Sequence, residues 1–333
     1  MEEPTRRGEE RNILLTGATG FVGGAVYPAL VAAGWDVRCA TRDGERAAAQ
    51  WPSRNWVTAD VADRDSTVRA LEGCDSALYL VHGMATASGD FHRAEVAQAE
   101  TFLRAAEDAG VRRIVYLGGV TAPSSDASAH LRSRRDVGET LRSGSVSAIE
   151  LRASMIIGHG SLSWLIVRDL AARLPVMVLP RWLKSRTEPV AINDVVVAVL
   201  GALDLVVDGS EWFGVPGPEV LSGREILERT ADVLGRPRPI MIEVPFLTPK
   251  LSSHWVRFVT RAEWSVAREI VVGLKEDLLA DDARFWERIG HTSLQDFDEA
   301  ARRTISDEKR EGPIRGPWGI IERLLLAAPG QAT

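Results

Sequence analysis

The stretch from Asn12 to Val26, NILLTGATGFVGGAV, constrains the fold more than any other part of the chain. A short apolar run ends at Thr16, and glycines follow at Gly17-x-x-Gly20-x-x-Gly23 as a helical pattern begins near Phe21. Glycine serves where backbone must turn sharply or approach another group closely. A strand that turns through such residues into a helix leaves the first helical N–H groups free, and the helix dipole favours negative charge beside them. A pyrophosphate suits that place, so the turn predicts a bound dinucleotide. Glycines alone mark many turns; here they follow a strand and open a helix within a βαβ unit, the context the motif requires.

From Asn12 to about Leu151 short apolar runs recur: NILLTG, WDVRCAT, NWVTAD, SALYLVHG, RRIVYLGG and VSAIELR. Longer amphipathic segments lie between them, such as FHRAEVAQAETFLRAAEDAG, where Phe91, Val96, Phe102 and Leu103 follow helical spacing and Gly110 supplies a stop. This alternation predicts an α/β fold, a doubly wound parallel sheet of the Rossmann type, over residues 12–155. Beyond it the pattern becomes irregular, as in the proline-punctuated RLPVMVLPRWLKSRTEP and EVPFLTPKLSSHWVRFVT. A smaller substrate lobe is expected over 156–328, with the apolar 187–206 returning to the first domain.

With 333 residues and 45% hydrophobic content the chain can bury a large core. Its 40 Lys and Arg against 46 Asp and Glu give a net charge of −6, which gains nothing from a phosphate backbone, so nucleic acid is not expected as a partner. The amino-terminal MEEPTRRGEERN lacks the apolar segment of a signal peptide, and VVVAVLGALDLVV is too short to span a bilayer. The expectation is a cytoplasmic protein, without membrane contact, acting on a small molecule. Cys39 and Cys74 sit in apolar segments without C-x-x-C spacing and read as buried thiols, not a disulfide or metal site.

The end of the second strand decides which nucleotide binds. An acid there holds the adenosine ribose hydroxyls, whereas an arginine pairs with a 2′-phosphate. In WDVRCATRDGER, Thr41 occupies that place and Arg42 follows, which favours NADP, since a guanidinium suits a phosphate. Asp43 keeps an NAD reading open, and Asp60 is placed to accept from the adenine amino group.

These segments, with LLTGATGFVGG, TADVAD, LYLVHG, RRIVYLGGV, LRASMIIGHG and EPVAINDVVVAVL in order, resemble the extended and atypical members of the short-chain dehydrogenase/reductase superfamily. The resemblance covers most of the chain. It implies that Gly17, Thr19, Gly20, Phe21, Val22 and Gly23 surround the pyrophosphate, and that Asp60 and Val61 lie beside the adenine. Leu80, Val81 and His82 would line the ribose, with Ala153 and Ser154 near the nicotinamide.

The same resemblance exposes a departure, because the family's usual Tyr-x-x-x-Lys pair and upstream Ser or Thr are missing. In SAHLRSRRDVGETLRSG, His130 falls at the tyrosine and Arg134 at the lysine, while Gly119 falls near the serine. A carbonyl reduced by hydride must receive a proton, and histidine can give one near neutral pH. Arg134, one helical turn on, would polarise a substrate oxygen and disfavour the imidazolium, and Thr121 could supply the missing hydroxyl. The alternative is that His130 and Arg134 simply face solvent.

Among other candidates, His159 reads as a loop residue, His82 as packing under the cofactor, and Asp194 as a helix N-cap. Trp164, Trp182, Trp212, Phe213, Trp255, Phe258 and Trp264 read as core, though a few of them facing the nicotinamide would imply a bulky, apolar substrate. The leading expectation is an NADP-dependent oxidoreductase reducing a carbonyl or conjugated double bond. An epimerase or lyase with net non-redox chemistry and a non-enzymatic NADP-binding sensor remain open beside it. No metal is expected.

Overall fold

The computed structural model describes residues 11–81, 91–120, 129–180, 184–244 and 276–310. Strands β1 (Arg11–Leu15), β2 (Trp35–Thr41), β3 (Asn55–Thr58), β4 (Ser76–Tyr79), β5 (Arg113–Gly119) and β6 (Ser147–Ala153) alternate with helices α1 (Phe21–Ala32), α2 (Gly44–Gln50), α3 (Arg64–Leu71), α4 (Phe91–Asp108) and α5 (Ala129–Arg142). After β7 (Ile156–Ile157), α6 (Leu162–Arg173), β8 (Val176–Pro180), β9 (Arg186–Thr187) and β10 (Val190–Ala191) comes the buried helix α7 (Ile192–Asp204). It leads to β11 (Glu211–Gly214), β12 (Leu221–Ser222), α8 (Gly223–Val233) and β13 (Ile240–Val244); α9 (Arg284–Arg288) and α10 (Phe297–Arg310) follow in the last described stretch.

The main sheet has seven strands in the order β11-β6-β5-β4-β1-β2-β3, all parallel. It is a doubly wound α/β sheet of the Rossmann type. Both faces are covered, so the central strands β4 and β5 are buried almost throughout, whereas β2 alternates through Asp36 and Arg38 and the edge strand β3 is only half-buried. On one face, Val26 and Leu30 of α1 and Val195, Val199 and Leu203 of α7 pack over Ile13, Leu15, Val115 and Ile149. On the other, Ala70, Phe102, Leu103, Val137 and Leu141 pack over Leu14, Ala77, Ile114 and Ala148. Cys39 and Cys74 are buried, free thiols within these layers.

The seventh strand is EWFG, a run of four residues that the sequence pattern did not single out; its residues pair with Ile149–Arg152 of β6. Phe285 and Trp286 of α9 join the same core beside Phe213. A third apolar cluster, with Trp164, Ile226, Leu227, Phe297 and Ala301, ties α6, α8 and α10 into a separate layer. Of the aromatics expected in the core, Trp164 and Phe213 are fully buried, Trp212 is partly buried, and Trp182, Trp255, Phe258 and Trp264 lie outside the described residues.

Asp194 is not the N-cap that the sequence suggests. Helix α7 starts at Ile192 straight from the extended β10, and Ala191 stands at the cap without a side-chain bond. Asp194 lies within the first turn, where its buried carboxylate accepts from His291 Nε2 at 2.9 Å and from the Gln295 N–H at 3.0 Å. Partners from the segment before α10, not local backbone, satisfy it.

Candidate active site

Because the sheet is parallel, the carboxyl ends of its strands gather on one side, and the order reverses between β1 and β4. That reversal point is where open α/β sheets bind ligands. The turn after β1 lies there. Thr16 Oγ1 donates to the Leu78 carbonyl at 2.9 Å and accepts from the Leu80 N–H at 2.9 Å, which locks the turn to the end of β4. Gly17 has φ +66°, and a Cβ on it would meet the Leu80 carbonyl oxygen at 2.5 Å, so both conformation and space demand glycine there.

Gly23, within α1, would press a Cβ to 2.9 Å from Ala18 Cα and into the Gly17 carbonyl. Its task is close packing of helix on turn. Gly20 is different. It caps α1 with φ −84° and ψ 175°, which any residue adopts, is exposed, and would bring a Cβ only to 3.2 Å from the Gly17 oxygen. The protein's own packing makes a weaker demand for glycine here, and the bare backbone leaves the surface over the start of α1 open. That surface fits a phosphate group. Thr19 is exposed, and Phe21 and Val22 are partly buried at the helix start. The loop after β7 closes over Phe21: a Cβ on Gly158 would reach its ring at 2.8 Å, and one on Gly160 at 3.4 Å. His159, between them, is exposed.

At the end of β2, Thr41 is partly buried and Arg42 is exposed. Asp43 is engaged as the N-cap of α2, its Oδ1 accepting from the Arg46 N–H at 3.1 Å. Asp60 is exposed after β3 and accepts from the Ala62 N–H at 3.0 Å, next to buried Val61. Leu80 is buried and Val81 partly buried after β4. Ala153 is buried at the end of β6, its carbonyl accepting from the Val120 N–H at 3.1 Å. Ser154 Oγ donates to the Glu188 carbonyl at 2.9 Å and accepts from the Glu188 N–H at 3.3 Å.

Thr121 and His82 lie outside the described residues, as does the side chain of His130; the backbone of His130 is in the first turn of α5. Arg134 lies against the end of β5, where a Cβ on Gly119 would come 3.5 Å from its Cδ and 4.0 Å from Leu131 Cδ2. No tyrosine lies in α5. Of the three in the chain, Tyr79 and Tyr116 are buried between layers, their phenols pushed above the usual range by burial, and Tyr27 lies on α1.

Two residues here carry no sequence signature. Glu188, between β9 and β10, is half-buried beside Ser154, and Oε2 accepts from the Ala280 N–H at 2.6 Å. Burial raises its carboxyl above the ordinary 4.5, and the Ala280 bond opposes that rise. Leu278, two residues before Ala280, packs with Val120 and Leu131, so this carboxyl is near the ends of β5 and β6 and can exchange a proton or accept a hydrogen bond. Arg54, before β3, reaches the glycine turn: its Nη1 donates to the Ala18 carbonyl at 2.8 Å.

A family model described as NAD(P)H-binding matches residues 17–172. The chain is 31% identical over 234 residues to a (4-alkanoyl-5-oxo-2,5-dihydrofuran-3-yl)methyl phosphate reductase of Streptomyces griseus, covering 68% of this chain and 74% of that one. It is 27% identical over 237 residues to a ceramide reductase of Caulobacter vibrioides, covering 70% and 73% respectively. In fold it is similar to a nucleoside-diphosphate-sugar epimerase of Pseudomonas aeruginosa, with a TM-score of 0.68 and 18% identity over 91% of this chain and 99% of that one.

Proposed function

This chain belongs to the NAD(P)-binding atypical short-chain dehydrogenase/reductases, and from that premise we propose that it is an NADP-dependent reductase of a carbonyl or conjugated double bond in a small, bulky, apolar molecule. The observation that carries the nucleotide part is Gly20, whose backbone is ordinary and whose missing side chain leaves the start of α1 open to a phosphate. Gly17, Thr19, Gly20, Phe21, Val22 and Gly23 would hold the pyrophosphate, with Asp60 and Val61 beside the adenine and Leu80, Val81 and His82 along the ribose. Arg42 would hold the 2′-phosphate beside Thr41. The engagement of Asp43 as a helix cap favours that reading over an acid on the ribose hydroxyls.

When bound, the cofactor supplies the hydride. The chain's part is to orient and to move a proton. Ala153 and Ser154 would flank the nicotinamide at the end of β6, and His130 would give the proton to the carbonyl oxygen, which Arg134 polarises from the next turn of α5. Thr121 would contribute the hydroxyl that Gly119 lacks. The relatives named as reductases support this direction of reaction. The test is incubation with NADPH and a panel of bulky ketones and enones, following cofactor fluorescence and product. Oxidation of one NADPH per reduced product is expected. Product formed with no net change in cofactor would indicate an epimerase or lyase, and binding without turnover across the panel would indicate a sensor.

A further inference from the structure

Arg54 ends WPSR, the short loop between α2 and β3, and the fold carries its side chain to the glycine turn. Its guanidinium is 4.4 Å from the centre of the Tyr27 ring and 5.2 Å from that of Trp51, and it is only partly buried. One N–H is spent on the Ala18 carbonyl, and among the described residues no carboxylate forms an ion pair with the group. Some partly buried arginines meet acids: Arg142 and Arg152 share Glu150, and Arg229 holds Glu219 and Asp298. Others without an acid, Arg38 and Arg113, each donate to two backbone carbonyls, whereas Arg54 donates to one. A guanidinium withdrawn from water without a counter-charge is costly unless an anion visits it.

The position of the charge narrows the choice of anion. Ala18 is the second residue of the glycine turn, so the guanidinium lies beside the first residues that meet the cofactor. It also lies within electrostatic reach of β2: burial pushes the Cys39 thiol up to about 11, and the Arg54 charge pulls it the other way. Cys39 is two residues before Thr41, where the adenosine ribose is expected. The aromatic rings restrict the arginine's freedom in advance, so less entropy is lost when it grips a ligand.

We propose that Arg54 is a specificity-determining residue, a second cation for the 2′-phosphate of NADP that reaches the site from the loop before β3 and acts together with Arg42. The inference rests on the NADP reading, and its test separates the two. Wild-type protein and the Arg54→Met, Arg54→Lys and Arg42→Ala variants are titrated with NADPH, NADH and 2′,5′-ADP at two salt concentrations, with a melting curve for each. Arg54→Met keeps an apolar stem over the rings and removes the charge.

The expected result is an affinity for NADPH and 2′,5′-ADP lower by about 10-fold or more in Arg54→Met, as for loss of a charge-assisted bond, while NADH changes by less than about 2-fold. Arg54→Lys should recover part of the loss, and the salt dependence of 2′,5′-ADP binding should weaken in Arg54→Met. Equal losses for NADPH and NADH would overturn the proposal and leave Arg54 as a brace for the turn. Unchanged NADPH affinity would overturn it as well. A wild type that prefers NADPH, with the preference lost in Arg42→Ala and kept in Arg54→Met, would remove Arg54 alone. A wild type that binds NADH as tightly as NADPH would overturn both.

Discussion

Gly20 and Gly23 are indistinguishable in the motif and have different work to do. Gly23→Ala forces a methyl against the Gly17–Ala18 backbone, and overpacking of this kind costs about 1–3 kcal/mol, so its melting temperature should fall with or without nucleotide. Gly20→Ala should melt close to wild type, because its φ and ψ are ordinary, and yet bind NADPH more weakly. Gly20→Val should abolish binding with most of the fold retained. A Gly20→Val protein with unchanged affinity in a fluorescence titration would return that glycine to packing alone. At the end of β2, Arg42→Ala should weaken NADPH binding by about 1.5–3 kcal/mol, the worth of a hydrogen bond to a charged group, and leave NADH nearly unchanged. Equal losses for both cofactors would take Arg42 away from the phosphate.

Helix α5 brings the proposed proton donor to the sheet, with Arg134 and Leu131 seated at the end of β5 and His130 in its first turn. A positioned proton donor contributes about 10²–10⁴-fold to rate, so His130→Ala should lower turnover by that order with NADPH affinity kept within a few-fold. Turnover near wild type would pass the role to Thr121, to Glu188 or to a substrate hydroxyl. The elements differ in how legible they are in the sequence. Strands β1, β4 and β5 stand out because strands buried on both faces are unbroken apolar runs, and α7 stands out for the same reason. Strand β11 is only four residues long, two of them partly buried, and no local pattern separates it from a loop. The glycine turn was legible because its chemistry is contiguous. Arg54 and Glu188 were not, since a loop residue's place depends on the packing of elements distant in sequence, and neither position has a period or a motif to mark it.

Across the whole molecule, Glu188 links stability to pH. Its carboxyl is raised by burial in the folded protein, so between the unfolded value near 4.5 and the raised one the folded state holds more protons. Stability contributed by the protonated form is present at the acid end and is lost as pH rises through that window. Glu188→Gln, whose amide oxygen can still accept from Ala280, should therefore gain melting temperature over wild type as the pH moves from about 5 to neutrality. A difference that stays flat across that range would mean that the carboxylate is well solvated. The seven-stranded order has a consequence of another kind. Glu211–Gly214 covers the flank of β6, so a fragment stopping at residue 155 would present the main-chain donors and acceptors of β6 to any passing strand. Such a fragment should self-associate when produced alone and be rescued by co-expression with residues 156–333, which makes the β6 seam a natural place to divide the gene for a complementation reporter of nucleotide binding.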